Sequence, residues 1–161
     1  MNNAPEPVPG ALSPELVERF RQICRDAGLK VTPQRLAIFS EVVAAADHPS
    51  AEEVHARITP RLPSLSLDTV YRTLGLLDEC GVVATIEAPD GRSRYDGRLE
   101  PHHHLVCREC GRIVDFQWPT ADRLSPPAET ARWGEVERVQ VELRGVCAEC
   151  LERRDAEPSE S

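Results

Sequence analysis

Four of the six cysteines in this 161-residue chain fall into two C-x-x-C pairs, Cys107 with Cys110 and Cys147 with Cys150, with 36 residues between the pairs. Each pair follows a strand-like segment and adjoins a tight turn. Four thiolates at that spacing suit tetrahedral Zn²⁺ at about 2.3 Å, a closed structural site whose binding energy is also folding energy. Such a site ties the strand before Cys107 to the last ordered stretch of the chain. An iron centre of rubredoxin type, redox-active dithiols and free buried thiols are the other chemistries open to the four residues. A thioredoxin-like motif needs a βαβ context that the surrounding pattern lacks. Cys24 and Cys80 stand outside the set.

A zinc staple matters because the chain is long enough for one medium domain or two small ones, and small cores are marginal alone. No apolar run approaches the eighteen residues of a membrane span, and the opening MNNAPEPVPG has no basic flank followed by an apolar stretch. The expectation is a cytoplasmic chain with no membrane span, whose thiols stay reduced and serve metal or redox chemistry. The formal net charge of −8 opposes nucleic-acid binding. Its distribution reopens the question: between residues 19 and 35, Arg19, Arg21, Arg25, Lys30 and Arg35 face only Asp26, a local +4. Those cations form either a DNA-facing patch or the solvated faces of ordinary helices.

Residues 1–12 and 155–161 read as disordered tails. Between them, Ser13-Pro14 and Thr32-Pro33 are paired helix starts, Ser50 with Glu53 is a capping box, and Ser66 caps a fourth helix that ends at Gly81. The apolar lines are Leu16, Phe20, Ile23, Cys24 and Ala27; then Leu36, Phe39, Val43 and Ala46; then Val54 and Ile58; then Val70, Leu74 and Leu77. Val82 to Glu87, the turn Ala88-Pro89-Asp90-Gly91 and Arg92 to Asp96 form a hairpin. Helices followed by a hairpin predict a winged helix-turn-helix over 13–96, its fourth helix suited to the major groove. Tyr71 and Arg72 point away from that helix's apolar line, where arginine can donate to guanine or phosphate and tyrosine can meet a thymine methyl. With them, Lys30, Arg35 and Arg25 are candidate DNA contacts. After Asp96 the pattern turns to strands, Leu105 to Cys107, Ile113 to Phe116 and the alternating Val139, Val141 and Leu143, with one or two short helical turns between. The fold class is α+β, and residues 97–154 form a second, zinc-stapled unit.

A second cluster precedes the first cysteine pair: Asp96, then His102, His103 and His104, then Asp115. On an extended segment His102 and His104 share a side, so two imidazoles can hold one ion. Imidazoles with carboxylates suit Fe²⁺, Mn²⁺ or Zn²⁺, in contrast to the all-sulfur site. Two rival readings are a small zinc metallo-enzyme built on the histidines and a winged helix serving protein interaction. The first lacks a general base beside the cluster and a substrate-cleft motif, so the chain is read as not an enzyme.

The segments LKVTPQR, HPSAEEVHARI, SLDTVYRTLGLLDECGVV, RSRYD, HHHLVCRECGRIVDF and GVCAEC, in this order over residues 16 to 151, resemble the ferric uptake regulator (Fur) family. The resemblance implies a metal-dependent transcriptional repressor controlling metal-homeostasis or peroxide-stress genes. It implies a homodimer with a C-terminal α/β dimerisation domain, Tyr71 and Arg72 reading a palindromic operator in double-stranded DNA. It also implies structural zinc on Cys107, Cys110, Cys147 and Cys150, and a regulatory Fe²⁺ or Mn²⁺ on Asp96, His102, His104 and Asp115. Aspartates at 96 and 115 resemble the peroxide-responsive branch. The triple histidine is similar to haem-responsive members, and a zinc-responsive regulator is the other alternative within the family, although no cysteine stands near Asp96. By the same resemblance a ligand histidine follows T-P-Q-R; Leu36 occupies that place, so either the clamp is weaker or His48, His55 or His103 substitutes. Pro101 and VERVQVELRG lack the imidazoles of a second sensory site. In this mechanism the metal selects the conformation that spaces two winged helices for DNA, and peroxide acting on an iron form generates an oxidant that modifies a ligand histidine and so releases the DNA.

Overall fold

The computed structural model describes residues 12–98, 100–136 and 139–156. Residues 1–11 and 157–161, most of the two expected tails, lie outside the described residues. The chain forms two compact units, Met1–Glu87 with Arg92–Leu99, and Ala88–Gly91 with Glu100–Ser161.

In the first unit, α1 (Pro14–Asp26) opens with the Ser13 hydroxyl accepting from the Leu16 N–H and with proline at its first position. Thr32 and Pro33 start α2 (Pro33–Ala44) in the same way. Ser50 and Glu53 close a reciprocal capping box on α3 (Ala51–Ile58), and Ser66 caps α4 (Leu67–Glu79). Gly28 and Gly81, at φ 65° and 67°, take the left-handed conformation that ends α1 and α4. The core gathers Phe20 and Cys24 from α1, Phe39 and Val42 from α2, Val54 and Ile58 from α3, and Val70, Leu74 and Leu77 from α4. Phe20 stacks on Phe39 with ring centroids 4.8 Å apart. The buried side of α2 is Ile38, Phe39 and Val42, rotated from the expected line; Val43 is half-buried, and Ala46 is exposed because the helix ends at Ala44.

Strand β1 (Ala84–Glu87) pairs antiparallel with β2 (Ser93–Asp96), Thr85 opposite Tyr95. Val82 and Val83, expected to open the strand, instead turn into the helical core just before it. The Tyr95 N–H donates to the Pro49 carbonyl at 3.0 Å, tying the hairpin to the turn before α3. Helices α2 to α4 with this hairpin make a winged helix.

In the second unit a three-stranded sheet runs in the order β4 (Ile113–Phe116), β3 (His103–Cys107), β5 (Glu142–Gly145). β3 is antiparallel to β4 and parallel to β5. Two 3-10 turns, Ala121–Arg123 and Ala128–Arg132, occupy the connection where prolines preclude longer helix. A last helix, α5 (Ala148–Ala156), begins directly after Cys147 and runs two residues into the stretch expected to be a tail. No helix among the described residues is long and apolar enough to cross a membrane.

Candidate metal centres and nucleic-acid interface

The two C-x-x-C pairs meet at one end of the sheet. Cys107 closes β3 and Cys110 follows on a knuckle in which the Cys107 N–H donates to the Arg112 carbonyl at 2.9 Å. Gly111 at φ 72° makes that turn possible. Cys147 precedes α5 and Cys150 sits in its first turn. The Sγ atoms of Cys107 and Cys150 are 3.9 Å apart, and those of Cys110 and Cys147 3.7 Å. A tetrahedron with metal–sulfur bonds near 2.3 Å has edges of roughly 3.8 Å, which these two separations match, and all four sulfurs lie within 4.8 Å of one another. These separations are far beyond an S–S bond, and all four residues are free thiols. Backbone N–H donors of Cys110 and Cys147 hold the Cys107 thiol down to about 6, and burial pushes Cys150 up to about 12. The Arg153 guanidinium donates to the Cys150 sulfur at 2.8 Å.

The histidines occupy the other end of β3. His102, His103 and His104 are all at most 3% exposed. In the β3–β4 register His104 lies opposite Asp115. The Nε2 atoms of His102 and His104 are 3.0 Å apart, and Asp115 Oδ1 lies 3.8 Å from the first and 3.5 Å from the second. Three donors at those separations fit one ion at about 2.0–2.2 Å from each, as imidazole and carboxylate ligands require. The other ring nitrogens are engaged in a way that aims Nε2 at the shared point. His102 Nδ1 donates to the Glu100 carbonyl at 2.7 Å, whereas His104 Nδ1 accepts from the Gln140 amide nitrogen at 3.0 Å, which leaves the His104 proton on Nε2; ligation through that atom requires the proton to leave it and the Gln140 amide to turn its oxygen toward Nδ1–H. With Nδ1–H donating to the Glu100 carbonyl, the Nε2 lone pair of His102 is left for a metal.

His103 points to the opposite face. Its Nδ1 accepts from the Val141 N–H at 3.1 Å and its Nε2 lies 3.1 Å from Asp122 Oδ1, with Phe116 and Trp118 packed beside the ring. It is a structural clamp between β3, the first 3-10 turn and the approach to β5. Sequence reasoning does not find Gln140 and Asp122, whose roles follow only from contacts between segments distant in sequence.

In the first unit, Asp96 ends β2 and is 4% exposed, its Oδ1 accepting from the Arg98 N–H at 2.8 Å. His48 is equally buried, in the turn before α3 at φ 50°. The two residues flank the Tyr95-to-Pro49 backbone hydrogen bond, Asp96 at the end of β2 and His48 in the turn before α3. Leu36 packs against the core, and His55 Nε2 is bonded to the Leu65 carbonyl at 2.8 Å.

On the face of the same unit where DNA contacts are expected, Lys30, Arg35 and Arg72 line one groove between the start of α2 and α4. The Arg35 guanidinium donates to the Lys30 carbonyl at 2.6 Å, and Arg72 pairs with Asp68 one turn earlier at 3.0 Å. Tyr71 is 44% exposed beside it. Arg25 does not line this groove; it bonds Glu18 and Gln22 along α1 at 2.8 and 2.7 Å. Glu18, one residue before the basic run, also pairs with Arg21 and so reduces the patch.

The family model of the ferric uptake regulator family matches residues 26–144. The peroxide-responsive repressor PerR of Staphylococcus epidermidis is 35% identical over 138 residues, covering 86% of this chain and 91% of that protein. Among solved structures, the Helicobacter pylori ferric uptake regulator Fur, in which three functional metal binding sites are described, has a TM-score of 0.69 at 26% identity and covers 91% of this chain and 95% of its own. The ferric uptake regulator of Pseudomonas aeruginosa with manganese has a TM-score of 0.64 at 25% identity, covering 80% and 97%.

Proposed function

The chain belongs to the ferric uptake regulator family of metal-dependent, DNA-binding transcriptional repressors, and we propose that it couples operator binding to an ion held by Asp96, His102, His104 and Asp115. Repressors of this family bind DNA and dimerise; they are regulators rather than enzymes. The observation that carries the proposal is the approach of His102 Nε2, His104 Nε2 and Asp115 Oδ1 to one another within 3.8 Å, with the histidines' remaining nitrogens engaged elsewhere.

We assign Cys107, Cys110, Cys147 and Cys150 to structural zinc, and Fe²⁺ or Mn²⁺ to the nitrogen and oxygen donors. His48 is the histidine that takes the place left by Leu36. Its burial and its turn support this, as do the engagements of His55 and His103. Residues 13–96 are the DNA-binding part and 97–154 the dimerising and sensing part. A homodimer forms through the sheet face on which Leu105 stands between its cross-strand partners Val114 and Leu143, all three more than 40% exposed. The reduced thiols suit the cytoplasm. Tyr71 and Arg72 read bases, while Lys30 and Arg35 contact phosphate at the groove they share with Arg72; Arg25 contributes only to the longer-range field.

Control of peroxide-stress genes is the branch we favour, supported by the aspartates at 96 and 115 and by the likeness to PerR. Fe²⁺ held there would supply reactivity toward peroxide. His102 and His104, whose Nε2 atoms face that point, are the side chains placed to be oxidised, peroxide giving one oxygen to the ring and leaving as water, and the weaker donor that results would favour release from DNA. Titrating Mn²⁺ into the zinc-loaded protein with operator and shuffled DNA at fixed salt tests the coupling: affinity for operator alone should rise. Equal gains on both duplexes would reduce the ion to a nonspecific counter-charge.

A further inference from the structure

Tyr71 projects from α4 with nearly half of its surface exposed, and an exposed tyrosine on a helix has more than one rotamer open to it. Here the choice is made by another element. The Tyr71 hydroxyl donates to Glu52 Oε1 at 2.7 Å, across from the first turn of α3. Glu52 is itself held by position. The capping box fixes the backbone on either side of it, and the positive end of α3 favours a carboxylate there. Glu53 does separate work: its Oε2 accepts from the Ser50 N–H at 2.7 Å and pairs with Arg94 of β2 at 3.0 Å. The stretch from Pro49 to Glu53 therefore grips the recognition helix through Glu52 and the wing through Pro49 and Glu53, immediately after His48. Arg72, in contrast, pairs with Asp68 of its own helix.

An acidic side chain on a DNA-facing surface repels phosphate, so its presence lowers general attraction to DNA. What it supplies is orientation. Resting on the reading of α4 as the element that enters DNA, we infer that Glu52 is a positioning residue for operator discrimination, acting by fixing the phenol of Tyr71. The hydrogen bond leaves a signature in both partners: the Tyr71 hydroxyl holds the Glu52 carboxyl below the usual carboxylate range, and the carboxylate lifts the Tyr71 phenol above its ordinary value.

The test uses the full zinc-loaded, Mn²⁺-supplemented chain and a duplex enriched by it from a randomised pool, with a shuffled duplex as control. Glu52→Ala should lower the ratio of the two affinities about ten-fold, the size of a lost charge-assisted hydrogen bond, with the shuffled duplex bound as well or better. Glu52→Gln, which keeps an acceptor, should stay within about three-fold of wild type. Absorbance titration at 295 nm should show a tyrosine ionising at lower pH in Glu52→Ala. Tyr71→Phe should lose a similar ratio, and the double variant no more than the larger single loss. If Glu52→Ala does not fold, Tyr71→Phe and Glu52→Gln decide the matter alone: an unchanged ratio in Tyr71→Phe overturns the inference. Unchanged discrimination in Glu52→Ala, equal losses on both duplexes, or additive losses in the double variant also overturn it. A wild-type chain that enriches no sequence overturns the DNA-reading assignment as well, which separates the two failures.

Discussion

His104 and Asp115 are direct cross-strand partners of β3 and β4, with Nε2 and Oδ1 3.5 Å apart on the face where His102 also presents its Nε2. Strand pairing thus builds most of a metal site before any ion arrives. Replacing a ligand removes a bond to the ion, a larger effect than the 10- to 100-fold expected for an outer partner. His104→Ala should lose the second metal equivalent and its effect on operator binding while keeping zinc, as metal content per subunit and operator titration would record. Gln140→Ala removes the side chain whose amide oxygen, once turned toward Nδ1–H, orients His104 as a ligand, and it should weaken that ion by about 10-fold.

The thiols predict a pH limit on zinc retention. Cys107 is held at about 6, below its ordinary 9.0, so above about 6 it meets the metal as thiolate with no proton to displace. A lowered value contributes fully above the ordinary one and is lost as pH falls through the lowered one. Cys150, pushed up to about 12, gives up a proton to the metal throughout this range, so zinc release to a chromophoric chelator should rise gently as pH falls toward about 6 and more steeply below it, where Cys107 must give up a proton as well. A slope that does not steepen below about 6 would contradict this.

Leu105 lies between Val114 and Leu143 on an exposed sheet face. A charge at the centre of an apolar interface is left unpaired and desolvated. Leu105→Asp should convert the dimer to monomer in sedimentation experiments, with zinc content unchanged.

The aromatic pair Phe20 and Phe39 anchors the first unit, both fully buried and stacked at 4.8 Å. Phe39→Ala should destabilise it by about 3–5 kcal/mol, read by denaturant unfolding. On the same unit, Arg72→Ala should cost about 1–3 kcal/mol on operator alone, whereas Lys30→Ala should weaken all sequences alike and lower the salt slope by about 1.

Much of the fold is legible in the sequence itself, because caps, prolines and glycines act locally. Ser13, Thr32, Ser50 and Ser66 mark four helix starts, and Gly28 and Gly81 mark two ends. The buried line of α2 is harder to read, because Leu36, Phe39, Val43 and Ala46 satisfy a helical period as well as Ile38, Phe39 and Val42 do; tertiary packing chooses between them. The alternation of Val139, Val141 and Leu143 suggests a longer strand than β5, which is defined by parallel pairing with β3, a long-range fact. Helix α5 lacks an apolar stripe, since it is fixed by Cys150 at the sulfur cluster rather than by a buried face. The site follows the same division. Cysteine and histidine spacings are readable, but Gln140, Asp122 and Glu52 act through contacts between segments distant in sequence.

The most direct test of the account is operator affinity of the zinc-loaded protein measured against occupancy of the second ion, in wild type and His104→Ala. The two should rise together in wild type, while the variant stays at the unliganded affinity at every metal concentration. Operator affinity that is the same with and without that ion, or a variant that responds as wild type does, would contradict it.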